Sequence, residues 1–302
     1  MKVLVAVDSS PSSNSILDVI VTGTWPSATK FCVLNVTDLQ RFERLPALIE
    51  DAEREGYRIA ETFARQVSTA GYEAFPETSS GHPRSEISSY AKEWGADLIL
   101  VGSHGHGAVG RFLLGSVAQA VLRTAPCSVE IVRPTSHVLP FKILFATDGS
   151  SCSIAAAELI AAQPWPKESL FKILSVEELM TAANQMDAAS LAAIYPASLL
   201  EELITQAHDW ARSSVCRTKY IFSRADLKIA DGDSSPAGDP RAIILDTAKT
   251  WGAHLIVLGS HGRRGIDRFL MGSVSEAVAI HAHCSVRVVR PNTSEKGDRH
   301  AD

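Results

Sequence analysis

The sequence predicts an α/β protein: two tandem copies of one module, each an open parallel sheet of about five strands with helices on both faces. The first observation behind this is an internal repeat. Lys2-Val-Leu-Val-Ala-Val-Asp8 matches Lys142-Ile-Leu-Phe-Ala-Thr-Asp148 at an offset of 140 residues, whereas Trp94–Gly105 matches Trp251–Gly262, and Cys127–Pro134 matches Cys284–Pro291, at an offset of 157. Across Trp94–Ser116, 14 of 23 positions are identical between the copies, well above chance for a repeat unit. The widening offset places a 17-residue insertion inside the second copy. The second observation is that short β-branched, apolar runs alternate with helical patterns, the signature of βαβ units. The third is a glycine-rich loop, Gly102-Ser-His-Gly105, nine residues, Gly115-Ser116, which recurs as Gly259-Ser-His-Gly262, nine residues, Gly272-Ser273.

Residues 2–7 and 31–36 read as strands buried on both faces. Leu48–Thr69 follows as an amphipathic helix, with Leu48, Ile49, Ala52, Ile59, Ala60, Phe63 and Val67 near a 3.6-residue spacing. A weaker strand covers 72–76. Pro83 suits a first helical position with His82 as cap. Strands at 97–101 and 128–133 complete the first copy. The linker falls near Ser136–Pro140, giving domains at 1–137 and 138–291 and a polar, disordered tail over 292–302. The second copy repeats the order, with strands at 142–147, 170–176, 226–230, 254–258 and 285–289. A long helix at 188–215 absorbs most of the insertion, and Asp239-Pro240 opens another.

Composition bounds the function. The chain has 302 residues, 45% hydrophobic and 21% charged, as in a folded globular protein with room for two cores. A net charge of −5 and pI near 6.1 argue against non-specific binding to nucleic acid or anionic membranes. No apolar run approaches the roughly 20 residues of a membrane span, and the N-terminal apolar run stops at Asp8, too short for a signal peptide. Five cysteines without paired spacing read as reduced thiols in a cytoplasmic protein.

Ligands of open parallel sheets bind outside the C-terminal strand ends, where strand order reverses. Asp8, Val36 and Gly102 lie at such ends, as do Asp148, Val176 and Gly259. Each glycine-rich loop starts after a strand and empties into a helix that opens Ser116-Val117 or Ser273-Val274. Glycine at 102, 105 and 115, and at 259, 262 and 272, lets the backbone approach an anion and adopt positive φ. The amides and hydroxyls of Ser116 and Ser273 then face phosphate, aided by the helix dipole. The alternative is that the glycines serve a tight turn and the serines only cap a helix. Arg111 and Arg268 recur four residues before Gly115 and Gly272, and only the second loop adds Arg263-Arg264, cations suited to terminal phosphates or to solvent. For Asp8 and Asp148 the alternative to a ligand role is an Asx-turn. His104 and His261 read as hydrogen-bonding loop residues rather than metal ligands, and the run Asp231–Asp239 reads as a flexible acidic insertion.

Gly-x-x-Gly, nine residues, Gly-Ser, preceded by Trp-Gly-Ala-Asp-Leu-Ile and followed by Pro-Cys-Ser-Val-x-Ile-Val-Arg, resembles the universal stress protein family, once per half as in its tandem members. The motif is that of the family's ATP-binding branch. The resemblance implies a Rossmann-like strand order of 3-2-1-4-5, and halves joined through their last strands as an intrachain pseudo-two-fold pair. It also implies that Asp8 and Asp148 lie near ribose and adenine. Val36 and Val176 would meet adenine through their backbones, and Gly81-His-Pro83 and Gly238-Asp-Pro240 would flank the base. The expectation is a stress or energy sensor that binds ATP, or ADP or AMP, once per half, with magnesium accompanying triphosphate. The alternatives are a slow magnesium-dependent ATPase and an interaction protein with vestigial pockets. An unidentified signalling partner and further homodimerisation belong to the same expectation.

Overall fold

The computed structural model describes residues 1–42, 46–105, 114–134, 139–177, 195–230, 237–262 and 271–291. The first half forms β1 (Lys2–Ala6), α1 (Ser12–Thr22), β2 (Lys30–Asp38), α2 (Ile49–Thr69), β3 (Glu73–Gly81), α3 (Pro83–Trp94), β4 (Leu98–Gly102), α4 (Ser116–Thr124) and β5 (Ser128–Val132). The second forms β6 (Lys142–Ala146), α5 (Ser151–Ala161), β7 (Leu170–Leu174), α6 (Ala197–Ser223), α7 (Pro240–Trp251), β8 (Leu255–Gly259), α8 (Ser273–His281) and β9 (Ser285–Val289).

All strands join one nine-stranded sheet of order β3-β2-β1-β4-β5-β9-β8-β6-β7. Within each half the pairing is parallel, and only β5 and β9 meet antiparallel. The first half has the order 3-2-1-4-5 that the resemblance implies. Lys2↔Lys30 through Ala6↔Leu34 and Val3↔Leu98 through Ala6↔Val101 set the register at its centre. The buried runs Val3-Leu4-Val5 and Leu98–Val101 are covered on both faces, as parallel strands require. One face holds Ile16, Ile20, Ala60, Phe63 and Val67 from α1 and α2; the other holds Ile87, Ala91, Val121 and Leu122 from α3 and α4.

Two differences from the sequence reading stand out. The stretch 226–230 does not form a fifth strand; Phe171↔Ile229 is an isolated parallel bridge, with a second at Glu177↔Ala237. Nine-residue β2 gives β3 a full ladder, whereas five-residue β7 leaves its outer edge little to pair with. The long helix also sits later than 188–215. It starts after Pro196, which disfavours helix at Tyr195, and runs on to Ser223 because Ala211, Ser214, Val215, Thr218 and Phe222 keep a buried face at helical spacing. Residues 188–194 lie outside the described residues.

The seam between the halves is chemically asymmetric. Glu130 on β5 pairs directly with Arg287 on β9, and the two are repeat-equivalent positions. Glu130 is 3% exposed and Arg287 5%. Arg287 Nε donates to Glu130 Oε2 at 2.6 Å, and its Nη1 donates to Gln163 Oε1 at 2.6 Å. Flanking this pair, two arginines cap helices of the opposite half. Arg133 donates to the carbonyls of Ala279 (2.6 Å), Ile280 (3.2 Å) and Cys284 (3.2 Å) at the end of α8. Arg290 donates to those of Ala125, Leu122 and Arg123 at the end of α4. Burial pushes the Arg133 guanidinium down to about 10, and it stays charged at neutral pH.

Candidate functional site

Parallel order places the switch point between β1 and β4 in the first half and between β6 and β8 in the second. Just past β1, Asp8 Oδ1 accepts from the Ser10 amide at 3.0 Å and also from the Ser10 hydroxyl, closing an Asx-turn. Asp148 repeats this with the Ser150 amide at 3.0 Å. The other carboxylate oxygen of each faces the glycine-rich loop. A Cβ at Gly105 would stand 3.1 Å from Asp8 Oδ2, and one at Gly262 only 2.8 Å from Asp148 Oδ2. The acid and the second glycine of the loop are therefore in contact in both halves, and a side chain at either glycine would fill the space between them. Ser10 Oγ and Ser150 Oγ also reach the carbonyls of His104 (3.5 Å) and His261 (3.4 Å), tying the two loops together.

The far end of the loop returns to the same place. The Gly115 amide donates to Ser103 O at 2.8 Å, and Gly272 to Ser260 O at 2.8 Å. Gly115 and Gly272 have φ of −61° and −66°, extended backbone open to any residue, so the expected positive φ is not their reason for being glycine. Close approach is: a Cβ would lie 3.3 Å from Ser103 O or 3.1 Å from Ser260 O. Gly102 and Gly259 serve packing instead. Their Cβ atoms would strike Ser12 of α1 (2.6 Å) and the Cys152–Ser153 backbone of α5 (3.2 Å).

Ser116-Val117 and Ser273-Val274 form the first turns of α4 and α8, whose glycine caps supply no side-chain acceptor. Ser116 and Ser273 are exposed, so their first-turn amides and hydroxyls are open to an anion. Val36 lies on β2 beyond the end of β1, opposite Ser79, and Val176 lies just past β7. Both are half-buried on the same end of the sheet as the acids. His82 and Asp239 cap α3 and α7 as expected, accepting from the amides of Arg84 (3.4 Å) and Arg241 (3.1 Å). Arg111, Arg263 and Arg268 fall outside the described residues.

The histidines behave as loop residues. Ser103 Oγ and His104 Nδ1 are 3.0 Å apart, Ser260 Oγ and His261 Nδ1 2.9 Å. Both Nε2 atoms are buried with no hydrogen-bond partner among the described residues. Burial, then the nearby Arg290 charge, lowers the His261 pKa. The described residues contain no cluster of three metal-ligating side chains. Burial raises the Cys32, Cys127 and Cys284 thiols to about 12, which removes them as nucleophiles at neutral pH.

Sequence reasoning missed two side chains here. Trp210 of α6 donates its indole N–H to Asp148 O at 2.7 Å while remaining 46% exposed. Arg241 Nη2 donates to Ser273 Oγ at 3.3 Å. Gly-x-Pro-Arg recurs in both copies and was the available signal for the second; nothing in the repeat pointed to Trp210, which the second copy alone contributes from its longer helix.

The model of the universal stress protein family matches residues 1–133 and again 141–290. The chain belongs to the universal stress protein family. Universal stress protein Rv2005c of Mycobacterium tuberculosis is 30% identical over 211 aligned residues, a match that covers 65% of this chain and 62% of that one. The chain thus spans less than two thirds of the length of such relatives. Universal stress protein A homolog 2 of Coxiella burnetii is 51% identical over 74 residues, 24% of this chain and 49% of its own. A universal stress protein of Archaeoglobus fulgidus superposes with a TM-score of 0.66 at 20% identity, covering 97% of both chains. A second, from Pseudomonas aeruginosa, gives 0.63 at 18% identity over 96% of this chain and 93% of that one. These two likenesses concern the fold, including its tandem arrangement. No helix among the described residues is long and apolar enough to cross a membrane.

Proposed function

We propose that each half of this universal stress protein binds one adenine nucleotide, ATP foremost, and that occupancy rather than turnover carries its signal. One observation carries the reading. In both halves the acid ending the first strand abuts the second glycine of the loop, at 3.1 and 2.8 Å from where a Cβ would stand, beside a helix start that presents open amides. A cradle that a methyl group would fill, next to a positive helix end, suits ribose on one side and phosphate on the other. The carboxylates touching the loop are held in Asx-turns, a binding posture rather than that of a base aimed at water. Magnesium, where it accompanies triphosphate, would find hydroxyl ligands in Ser116 and Ser273. The exposed surface around each cradle would change with occupancy and so present a different face to a partner.

Mass spectrometry of small molecules released on denaturing the purified chain is the direct test, followed by calorimetry with ATP. The expected result is adenine nucleotide at up to two per chain, without phosphate release over hours. Gly262→Val should remove one site and Gly105→Val the other. A chain that neither carries nor takes up nucleotide refutes the reading; phosphate release that scales with enzyme would favour the slow ATPase.

A further inference from the structure

Arg241 follows Pro240 at the start of α7, and Arg84 follows Pro83 at the start of α3, at the repeat offset of 157. Arg241 crosses from α7 to α8 and donates to Ser273 Oγ at 3.3 Å, 32 residues away, on the first residue of α8. Its guanidinium thus stands between two helix N-termini. That is where a cation is least welcome, because the exposed amides of both helices are themselves positive. Among the described residues no carboxylate pairs with it. Neither Arg241 nor Arg84 makes an ion pair among the described residues, and Asp239, the nearest acid in sequence, spends its carboxylate on the Arg241 amide. In the first half the same cap is His82, and the first-turn acid Glu86 accepts from the Ser79 hydroxyl at 2.9 Å. Arg84 is exposed and lines the cleft between α3 and α4 with Ser85, Ser88 and Thr124.

A fork of N–H donors without an ion-pair partner among the described residues, beside open amides and a serine hydroxyl, is arranged for an oxyanion with several charges. We propose that Arg241, and Arg84 in the first half, contact the terminal phosphates of the bound nucleotide and set a preference for triphosphate over nucleotides with fewer charges. The inference rests on the nucleotide reading above. It adds a residue pair outside the glycine-rich loop, whose described residues include no Lys or Arg. Both arginines are exposed, so replacing them leaves the core intact.

Calorimetry on the full chain with ATP, adenosine and inorganic tripolyphosphate tests it. Arg241→Ala should weaken ATP at one of two sites by about tenfold or more, the scale of a charge-assisted hydrogen bond lost, and adenosine by less than twofold. Arg84→Ala should do the same at the other site, and Arg241→Lys should recover part of the ATP affinity. Unchanged ATP affinity in both variants, or equal losses for ATP and adenosine, overturns the assignment while leaving the nucleotide reading standing. Tripolyphosphate that binds in an Arg241-dependent way, without adenosine binding, upholds the arginine and sinks the nucleotide. A wild-type chain that binds none of the three overturns both.

Discussion

At the scale of single residues, His261 sets a pH limit. His261 is held by Ser260 through Nδ1, and its Nε2 is buried without a partner among the described residues. Burial first, and then the Arg290 charge, lowers its pKa below the ordinary 6.5. The unfolded chain therefore takes up the proton before the folded one does as pH falls. The associated stability is complete above about pH 6.5 and is lost as pH drops from there toward the depressed folded value. His283 adds to the same slope, its pKa lowered by burial, then by Lys249 and Arg133. Thermal unfolding between pH 7.5 and 5 should show a falling midpoint, and His261→Gln should flatten the curve. An unaltered slope in that variant would remove His261 as a cause. The loop glycines show how legible single residues were. Their positions, and the acids they meet, were readable because the pattern occurs twice. Their reasons were not: Gly102 and Gly259 are small to admit α1 and α5, contacts with segments about a hundred residues distant in sequence.

Elements were legible where the local signal was strong and isolated. Pro83 and Pro240 at first helical positions, with His82 and Asp239 as caps, follow from chemistry confined to three residues. α1 and α5 lacked a clear helical signature: in Ser12–Thr22 the apolar residues crowd into Ile16–Val21, a short run that periodicity alone does not separate from a strand, and Ser151–Ala161 buries mostly small residues, Ala156 and Ala157 beside Ile160. That 226–230 makes only an isolated bridge depended on the length of its neighbour β7, a tertiary fact. Least legible were the helix ends. Val-Arg-Pro closes both repeats, yet the carbonyls that Arg133 and Arg290 cap belong to the other half. Arg133→Met should cost about 1–3 kcal/mol, since it leaves buried carbonyls at the end of α8 unsatisfied. Chemical denaturation would register this as a lower midpoint, with Arg133→Lys intermediate. A midpoint within error of wild type would mean that water replaces the cap at little cost.

For the whole molecule, the β5–β9 seam turns two modules into one sheet, and the buried pair at its centre is the point of greatest sensitivity. Removing one partner alone, as in Glu130→Gln or Arg287→Met, should destabilise by about 3–5 kcal/mol, because the other charge stays buried and uncompensated. The exchange Glu130→Arg with Arg287→Glu should recover much of the loss, as should a paired apolar replacement of similar volume. Additive losses in the double variants, measured by denaturant unfolding, would show that the two side chains act independently.

That seam has a further meaning. Positions 130 and 287 are the same position of the module, counted from each beginning, and they face each other across the pseudo-axis. A module meeting its own twin would set Glu against Glu, or Arg against Arg, in a place without water. Each copy is thereby unfit to be its own mate and fit for the other. Duplication made the modules interchangeable, and one pair of opposite charges made them complementary. With this pairing met inside the chain, the two glycine-rich loops are free to diverge, as Arg263-Arg264 in place of His106-Gly107 already shows in the sequence.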